Sequence, residues 1–303
     1  MALTVLALDI GATKLAAGVV HADRLLRVRR VAVPPESVWQ ACRELLAAFG
    51  DARIDAVGIG SAGPVDARSG IVAPLNIPAW RSGFSLVAAV RELFPDADVR
   101  LAGDGICLAL AEHHVGGLRG VRNGLAMTVS SGIGGGLVVD GRVLRGATGN
   151  AGHVGHMVVP GRNDPCGCGG AGCVEAGAGG LASVRWARER GWGGATGAEL
   201  ARAARDGDPV ARAVLERAGT ALGQALASAA ALLDLDSVVV GGGFAESGAP
   251  LWEPMRAAVA AHARLDFVRD LRIVPSRLGG DATLLGGGVL ATDRFDDPGR
   301  PVP

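Results

Sequence analysis

The sequence has no surplus of charge of either sign: Lys+Arg and Asp+Glu number 30 each and are interspersed. Without a basic excess, binding to nucleic acid or to an anionic membrane surface has little electrostatic support. Long apolar runs are missing too. Stretches such as Ala225 to Leu233 fall well short of the ~20 residues that a bilayer-spanning helix needs. The start, Met1-Ala2-Leu3-Thr4-Val5-Leu6, has no basic region and no small-residue cleavage site before Asp9. No secretory signal is therefore expected, and the cytoplasm is the default compartment. Cysteine is scarce and odd in number: five in all, with Cys166, Cys168 and Cys173 close together. A disulfide framework would space them more widely and pair them evenly, so clustered thiols read first as metal ligands.

Tyrosine is absent, whereas hydrophobic residues make up 49% of the 303 positions, enough to bury sizeable cores. That length exceeds a typical single domain of roughly 100–200 residues, so two lobes are expected. Glycine is the outlier at 48 residues. It is not periodic, which excludes collagen-like repeats. It gathers at the ends of apolar runs, where a backbone approaches something closely.

The apolar runs Leu3 to Leu8 and Leu15 to Val20 predict two strands joined by a tight turn, and Arg27 to Val33 a third strand. Ser37 is placed to cap a helix reaching Phe49. Ala56 to Ser61 reads as a buried strand ending in the turn Ala62-Gly63-Pro64, and Phe84 to Phe94 as an amphipathic segment. Val99 to Ala102 is a short strand, with a helix from Asp104 to His114. Gly116 to Gly120 is a candidate hinge. Beyond it, Leu125 to Ser130 and Ile133 to Val139 form a second strand pair around a glycine turn, which suggests a duplicated βββαβα unit. Pro209 to Asp234 is a long Ala/Leu helix, Val238 to Val240 a strand, and Asp293 to Pro303 a polar, proline-rich tail. The expected division is a small α/β domain over 1–117, completed by a C-terminal helix at 284–292, and a larger α/β domain over 118–283.

Three glycine turns and one Cys/His cluster carry the chemistry. Asp9-x-Gly11-x-Thr13-Lys14 sets an acid, a close-approach glycine, a hydroxyl and an amine on one turn. A triphosphate needs backbone N–H groups and a cation, and Asp9 can hold hydrated Mg²⁺. An ordinary hairpin turn would carry the same residues. Ser130 to Gly136 is a second glycine-rich turn, with Gly132, Gly134 and Gly135 as candidates for phosphate contact. It lacks the Lys of a P-loop and lies between strands. Gly241-Gly242-Gly243 is a third, where a nucleotide base or ribose could lie against bare backbone at Gly242. His156, Cys166, Cys168 and Cys173 make a one-His, three-Cys set of the kind that closes a structural Zn²⁺ site. Three buried free thiols fit poorly with a glycine-rich, proline-flanked loop. Cys42 and Cys107 have apolar helical neighbours and read as core thiols.

These motifs together, and above all Gly155-His156-x9-Cys166-x-Cys168-Gly-x2-Gly172-Cys173-x-Glu175, resemble the ROK family of bacterial sugar kinases and related sugar-responsive repressors. The resemblance runs in order from Asp9 to Gly243. It implies an actin/hexokinase-like ATPase fold, with ATP and Mg²⁺ bound between lobes and a small sugar at the cleft floor. By position, Asp104 matches the family's catalytic base; a helix N-cap is its other reading. Asn76, Glu175 and His156 match sugar-contacting positions, and Gly63 and His153 join them as candidate substrate contacts. A homo-oligomer, dimer or tetramer, is also expected from the resemblance.

This chain departs from the family pattern in three places. Gly103 stands where an Asn before the base is usual, His153 where a Glu is usual, and Ser131 where a glycine–threonine pair is common. ATP-dependent phosphorylation of a sugar hydroxyl, glucokinase-like, is the leading expectation. A kinase for another sugar or an amino sugar such as an N-acetylhexosamine, and a non-catalytic sugar-binding or regulatory member, are the alternatives. With eight residues ahead of Asp9, the extra DNA-binding domain of the repressors is not expected.

Overall fold

A computed structural model describes residues 3–21, 23–50 and 53–292. The expected tail at 293–303 lies outside the described residues. The chain divides into two compact units. One takes the chain up to Arg119, Val143–Gly152 and the chain from Asp281; the other takes Gly120–Arg142 and His153–Gly280. Residues 143–152 thus group with the first unit, although they follow strands of the second.

In the first unit, β1 (Val5–Ile10), β2 (Lys14–His21) and β3 (Arg24–Ala32) are followed by α1 (Val38–Ala47) and β4 (Ala56–Ser61). A small hairpin, β5 (Val65–Asp66) and β6 (Ile71–Val72), precedes α2 (Leu86–Leu93), β7 (Asp98–Gly103) and α3 (Asp104–His114). The main sheet runs β3-β2-β1-β4-β7. β1 pairs antiparallel with β2 and parallel with β4, and β4 parallel with β7. β1 is buried at every position, as expected for a strand covered on both faces. Its alternation sorts the two faces by size. Leu6, Leu8 and Ile10 join Val57, Ile59 and the apolar sides of α1 and α2. Val5, Ala7 and Ala56 join residues of the C-terminal helix. That second face is built of small residues so that backbones can touch: a Cβ added at Gly58 would fall inside the carbonyl of Gly287.

In the second unit, β8 (Gly124–Val129), β9 (Ile133–Val139) and β10 (Arg142–Val143) precede the helices α4 (Val174–Ala178), α5 (Gly180–Arg188), α6 (Gly197–Arg205) and α7 (Pro209–Leu233). Then come β11 (Ser237–Gly241), α8 (Ala249–His262) and β12 (Arg272–Pro275), while α9 (Ala282–Ala291) returns to the first unit. This sheet runs β10-β9-β8-β11-β12, with β8 antiparallel to β9 and parallel to β11, and β11 parallel to β12. Both sheets share one pattern, and the fold is the α/β actin/hexokinase-like type expected from the sequence. Asp208 caps α7 by accepting the Ala211 N–H at 2.8 Å, with Pro209 at the first helical position.

Several local expectations shift. The first strand extends two residues further than Leu8, because Asp9 and Ile10 pair with β2 on one side and β4 on the other. Ser37 precedes α1 with a left-handed backbone (φ 55°) and makes no side-chain cap. Asp104 is the first residue of α3 and Gly103 its N-cap, so Asp104 is not the capping residue. Helices α4, α5, α6 and α8 had no counterpart in the sequence reading. Cys42 and Cys107 are fully buried, as expected of core thiols.

Candidate active site

In the first unit, parallel strands β1, β4 and β7 end in register: Ile10 beside Ser61, and Ser61 beside Gly103. Ligands in open α/β sheets gather at such carboxyl ends. Asp9 and Asp104 meet here. Asp9 is buried, and desolvation pushes its carboxyl from 3.8 up to about 7; the Asp104 charge adds to the rise, and Lys14 and Arg30 oppose it. Asp104 accepts the Gly105 N–H at 2.7 Å and stands in the first turn of α3, where the helix dipole favours a carboxylate. Gly11 closes the turn after β1 by donating its N–H to the Lys14 carbonyl at 3.0 Å, which brings Lys14 back as the first residue of β2. Two carboxylates and an amine on one sheet end suit a hydrated divalent cation and a proton acceptor.

Gly63 and Asn76 lie on a neighbouring loop of the same unit, tied by the Leu75 N–H to the Gly63 carbonyl at 3.3 Å. Asn76 is exposed, just before a short 3-10 turn at Pro78–Trp80. A Cβ at Gly103 would meet nothing within 4 Å, so a side chain can start where the usual Asn stands.

In the second unit, the turn between β8 and β9 is held from outside. Glu175, in the first turn of α4, accepts the Ile133 N–H at 2.7 Å, and a Cβ on Gly132 would stand 2.5 Å from that carboxylate. The Ser130 carbonyl also receives the Gly180 N–H at 2.8 Å. Gly134 has ordinary space around it. Gly135 faces the other way, where a Cβ would lie 2.7 Å from the Ala126 carbonyl, so packing alone demands glycine there. Gly242 has φ +97°, and a Cβ would lie 2.5 Å from the Val129 carbonyl, which sets the third turn against the end of β8. The second and third glycine turns therefore adjoin. That Glu175 braces the glycine turn had no sequence signal: 42 residues separate it from Ile133.

The cluster His156, Cys166, Cys168 and Cys173 converges, with one ligand atom from each residue all lying within 4.8 Å of one another. His156 Nδ1 is 3.6 Å from Cys166 Sγ, and Cys168 Sγ is 3.8 Å from Cys173 Sγ. A tetrahedral Zn²⁺ with Zn–S near 2.3 Å sets its sulfurs about 3.8 Å apart, so the donor set and its spacing fit zinc. Burial pushes the Cys173 thiol up to about 12, and a cation at the centre is what would make it a thiolate. The loop is anchored by Arg217 of α7, which donates to Asp164 at 2.6 Å and to the Gly177 carbonyl at 2.7 Å. His153 and His156 lie with ring centroids 5.9 Å apart; desolvation, then the neighbouring His156, holds His153 below its ordinary value.

Among the described residues, no helix is long and apolar enough to cross a membrane. The chain is 32% identical to a glucokinase of Aeropyrum pernix, covering 97% of this chain and 98% of that protein. It is 35% identical to an N-acetylmannosamine kinase of Escherichia fergusonii, covering 95% and 98%. It superposes on a ROK family glucokinase from Streptomyces griseus, solved with glucose and AMPPNP, with TM-score 0.84, 32% identity and coverage of 95% and 99%. The ROK family model matches residues 5–294, and with relatives this similar over nearly the whole length the chain belongs to the ROK family.

Proposed function

We propose that this protein transfers the γ-phosphoryl group of ATP to a hydroxyl of a monosaccharide. The observation that carries the reading is the pair of carboxylates at the ends of β1 and β7, one of them in the first turn of a helix. Asp104 takes the proton of the acceptor hydroxyl as its oxygen bonds to the γ-phosphorus. The bond from that phosphorus to the bridging oxygen breaks, and ADP leaves. Asp9 would hold Mg²⁺ through its water shell; when bound, the ion neutralises phosphate charge. Gly11, Thr13 and Lys14 of the first unit and Gly132, Gly134 and Gly242 of the second supply backbone and cationic contacts to the nucleotide. His156, Cys166, Cys168 and Cys173 would hold Zn²⁺ in a closed four-ligand set, which orders the loop and leaves catalysis to Asp104.

Gly63, Asn76, His153, His156 and Glu175 are the proposed sugar contacts. Open space at Gly103 and an imidazole at His153 favour a sugar other than glucose, such as an N-acetylhexosamine, as a second reading of the substrate. A coupled ADP-release assay with Mg-ATP across glucose, mannose, N-acetylglucosamine and N-acetylmannosamine tests both. Sugar-dependent ADP release is expected, strongest with an N-acetylated sugar. Sugar binding without ADP release from any of them would leave the non-catalytic reading standing in place of the kinase.

A further inference from the structure

Residues 143–152 follow β10 yet group with the first unit, where one side chain ties them to β5. The Asn150 carboxamide accepts the Val65 N–H through Oδ1 at 2.9 Å and donates from Nδ2 to the Val65 carbonyl at 2.8 Å. A carboxamide carries the same donor and acceptor as a peptide group, so Asn150 takes the place of a neighbouring strand. The other edge of β5 faces β6, where the Ala73 N–H meets the Pro64 carbonyl at 2.9 Å. Val65 is buried, and its two backbone groups need a protein partner. The other hydrogen bonds of Asn150 stay within its own segment, to the Thr148 carbonyl and hydroxyl at 3.4 and 3.2 Å.

What Asn150 grips lies next to two candidate sugar contacts. Gly63 precedes Val65 by two residues and accepts the Leu75 N–H, which couples it to Asn76. The far side of that loop is fixed by several contacts. Arg81 donates to the Leu75 carbonyl at 2.6 Å, Ile77 is buried, and Trp80 stacks on Phe84 with ring centroids 4.5 Å apart. The near side has the two-residue strands β5 and β6 and the Asn150 carboxamide. Loss of the carboxamide therefore loosens Gly63 first, and Asn76 through the Leu75 bond.

We propose that Asn150 is a positioning residue for sugar binding, which holds Gly63 and, through Leu75, Asn76 where they meet the sugar. This rests on the sugar-kinase reading for the identity of the ligand. Positioning is sensitive, since a displacement of about 1 Å can cost on the order of 10²-fold. A contact that served folding alone would, when lost, lower the unfolding temperature and shift every kinetic constant together. A positioning contact changes sugar affinity ahead of ATP affinity and turnover.

The test uses the full chain, Asn150→Ala, Asn150→Asp and Thr148→Val, each checked for cooperative thermal unfolding. Asn150→Asp keeps the shape and the acceptor and removes the donor to the Val65 carbonyl. Thr148→Val removes only a contact inside the segment. Calorimetry with glucose and with N-acetylmannosamine reads sugar affinity whether or not ADP is released. Both Asn150 variants should bind the sugar that the parent prefers about 10-fold more weakly, with kcat and the KM for ATP within about 3-fold of the parent. Thr148→Val should match the parent. Amide exchange should quicken by about 10-fold at residues 63–66 and 73–77 in the Asn150 variants and keep its parent rate in β1 and β4. Unchanged sugar affinity in both Asn150 variants overturns the proposal. So does an equal loss of sugar and ATP binding, or a loss that Thr148→Val reproduces. A parent that binds sugar without releasing ADP overturns the kinase reading alone, because affinity and exchange still report on Asn150.

Discussion

Asp104 and Asp9 share one sheet end, yet their surroundings assign them different work. Asp104 is half-buried in the first turn of α3, reachable by a hydroxyl and held by the Gly105 N–H. Asp104→Asn keeps the volume and removes the proposed proton acceptor. Turnover in the ADP-release assay should fall by roughly 10²–10⁴-fold while sugar affinity, measured by calorimetry, changes little; near-normal turnover in the Asn variant would exclude Asp104 as the base. Asp9 is deeply buried, with its carboxyl raised to about 7. Between about pH 4 and pH 7 the folded metal-free chain keeps a proton on Asp9 that the unfolded chain has lost. Stability must therefore fall as pH rises through that window, by at most a few kcal/mol. Asp9→Asn removes that contribution, so denaturant melts of the metal-free variant should be flatter over this range and relatively more stable at pH 8. A parent and variant with parallel pH profiles would place the titration elsewhere.

The loop from His153 to Cys173 folds back on itself through short backbone bonds, among them Val159 N–H to the Gly172 carbonyl at 3.0 Å and Cys166 N–H to the Gly170 carbonyl at 2.9 Å. It is pinned by the Cys/His cluster at one point and by Arg217 at another. Zinc is therefore expected to hold the start of α4, and with it Glu175 and the Ile133 N–H. Cys168→Ser replaces an exposed proposed ligand, leaving the core of the second unit intact. Elemental analysis should find about one zinc per parent chain and a large loss in the variant, which should also show a raised KM for sugar. Protein purified without chelator that contains no zinc, with all three thiols titrating freely, would refute the metal site. The face that binds α9 illustrates the opposite means of fixing an element: small residues let backbone touch backbone, as Gly58 does with Gly287.

The two departures from the family's sugar motif fall in different units, Gly103 in the first and His153 in the second. A glutamate at 153 would accept charge-assisted hydrogen bonds from sugar hydroxyls, worth roughly 1.5–3 kcal/mol each. Imidazole offers one acceptor when neutral and none when protonated. Because a Cβ at Gly103 would meet nothing within 4 Å and its φ is an ordinary −62°, the backbone there admits a side chain. The His153→Glu/Gly103→Asn variant should therefore raise kcat/KM on glucose by about 10-fold over the parent, with smaller gains on N-acetylhexosamines. A parent that already uses glucose as well as the double variant would make both substitutions silent.

Much of this protein was written in local pattern. The apolar runs marked β1, β4, β8 and β11, because strands buried on both faces are apolar nearly throughout. The glycine turns and the Cys/His spacing were legible because each is short-range chemistry: a tight turn needs neighbours a few residues apart, and metal ligands on one loop need little else. The tertiary structure decided what depends on distant segments. It made Asp9 a strand residue, since pairing with both β2 and β4 outweighs its polarity. It brought Glu175 to Ile133 and drew four arginines from separate segments to one edge of the first sheet. The physical reason is that burial, and the shifted carboxyl of Asp9 with it, is a property of what packs around a residue, and those neighbours lie up to the far end of the chain.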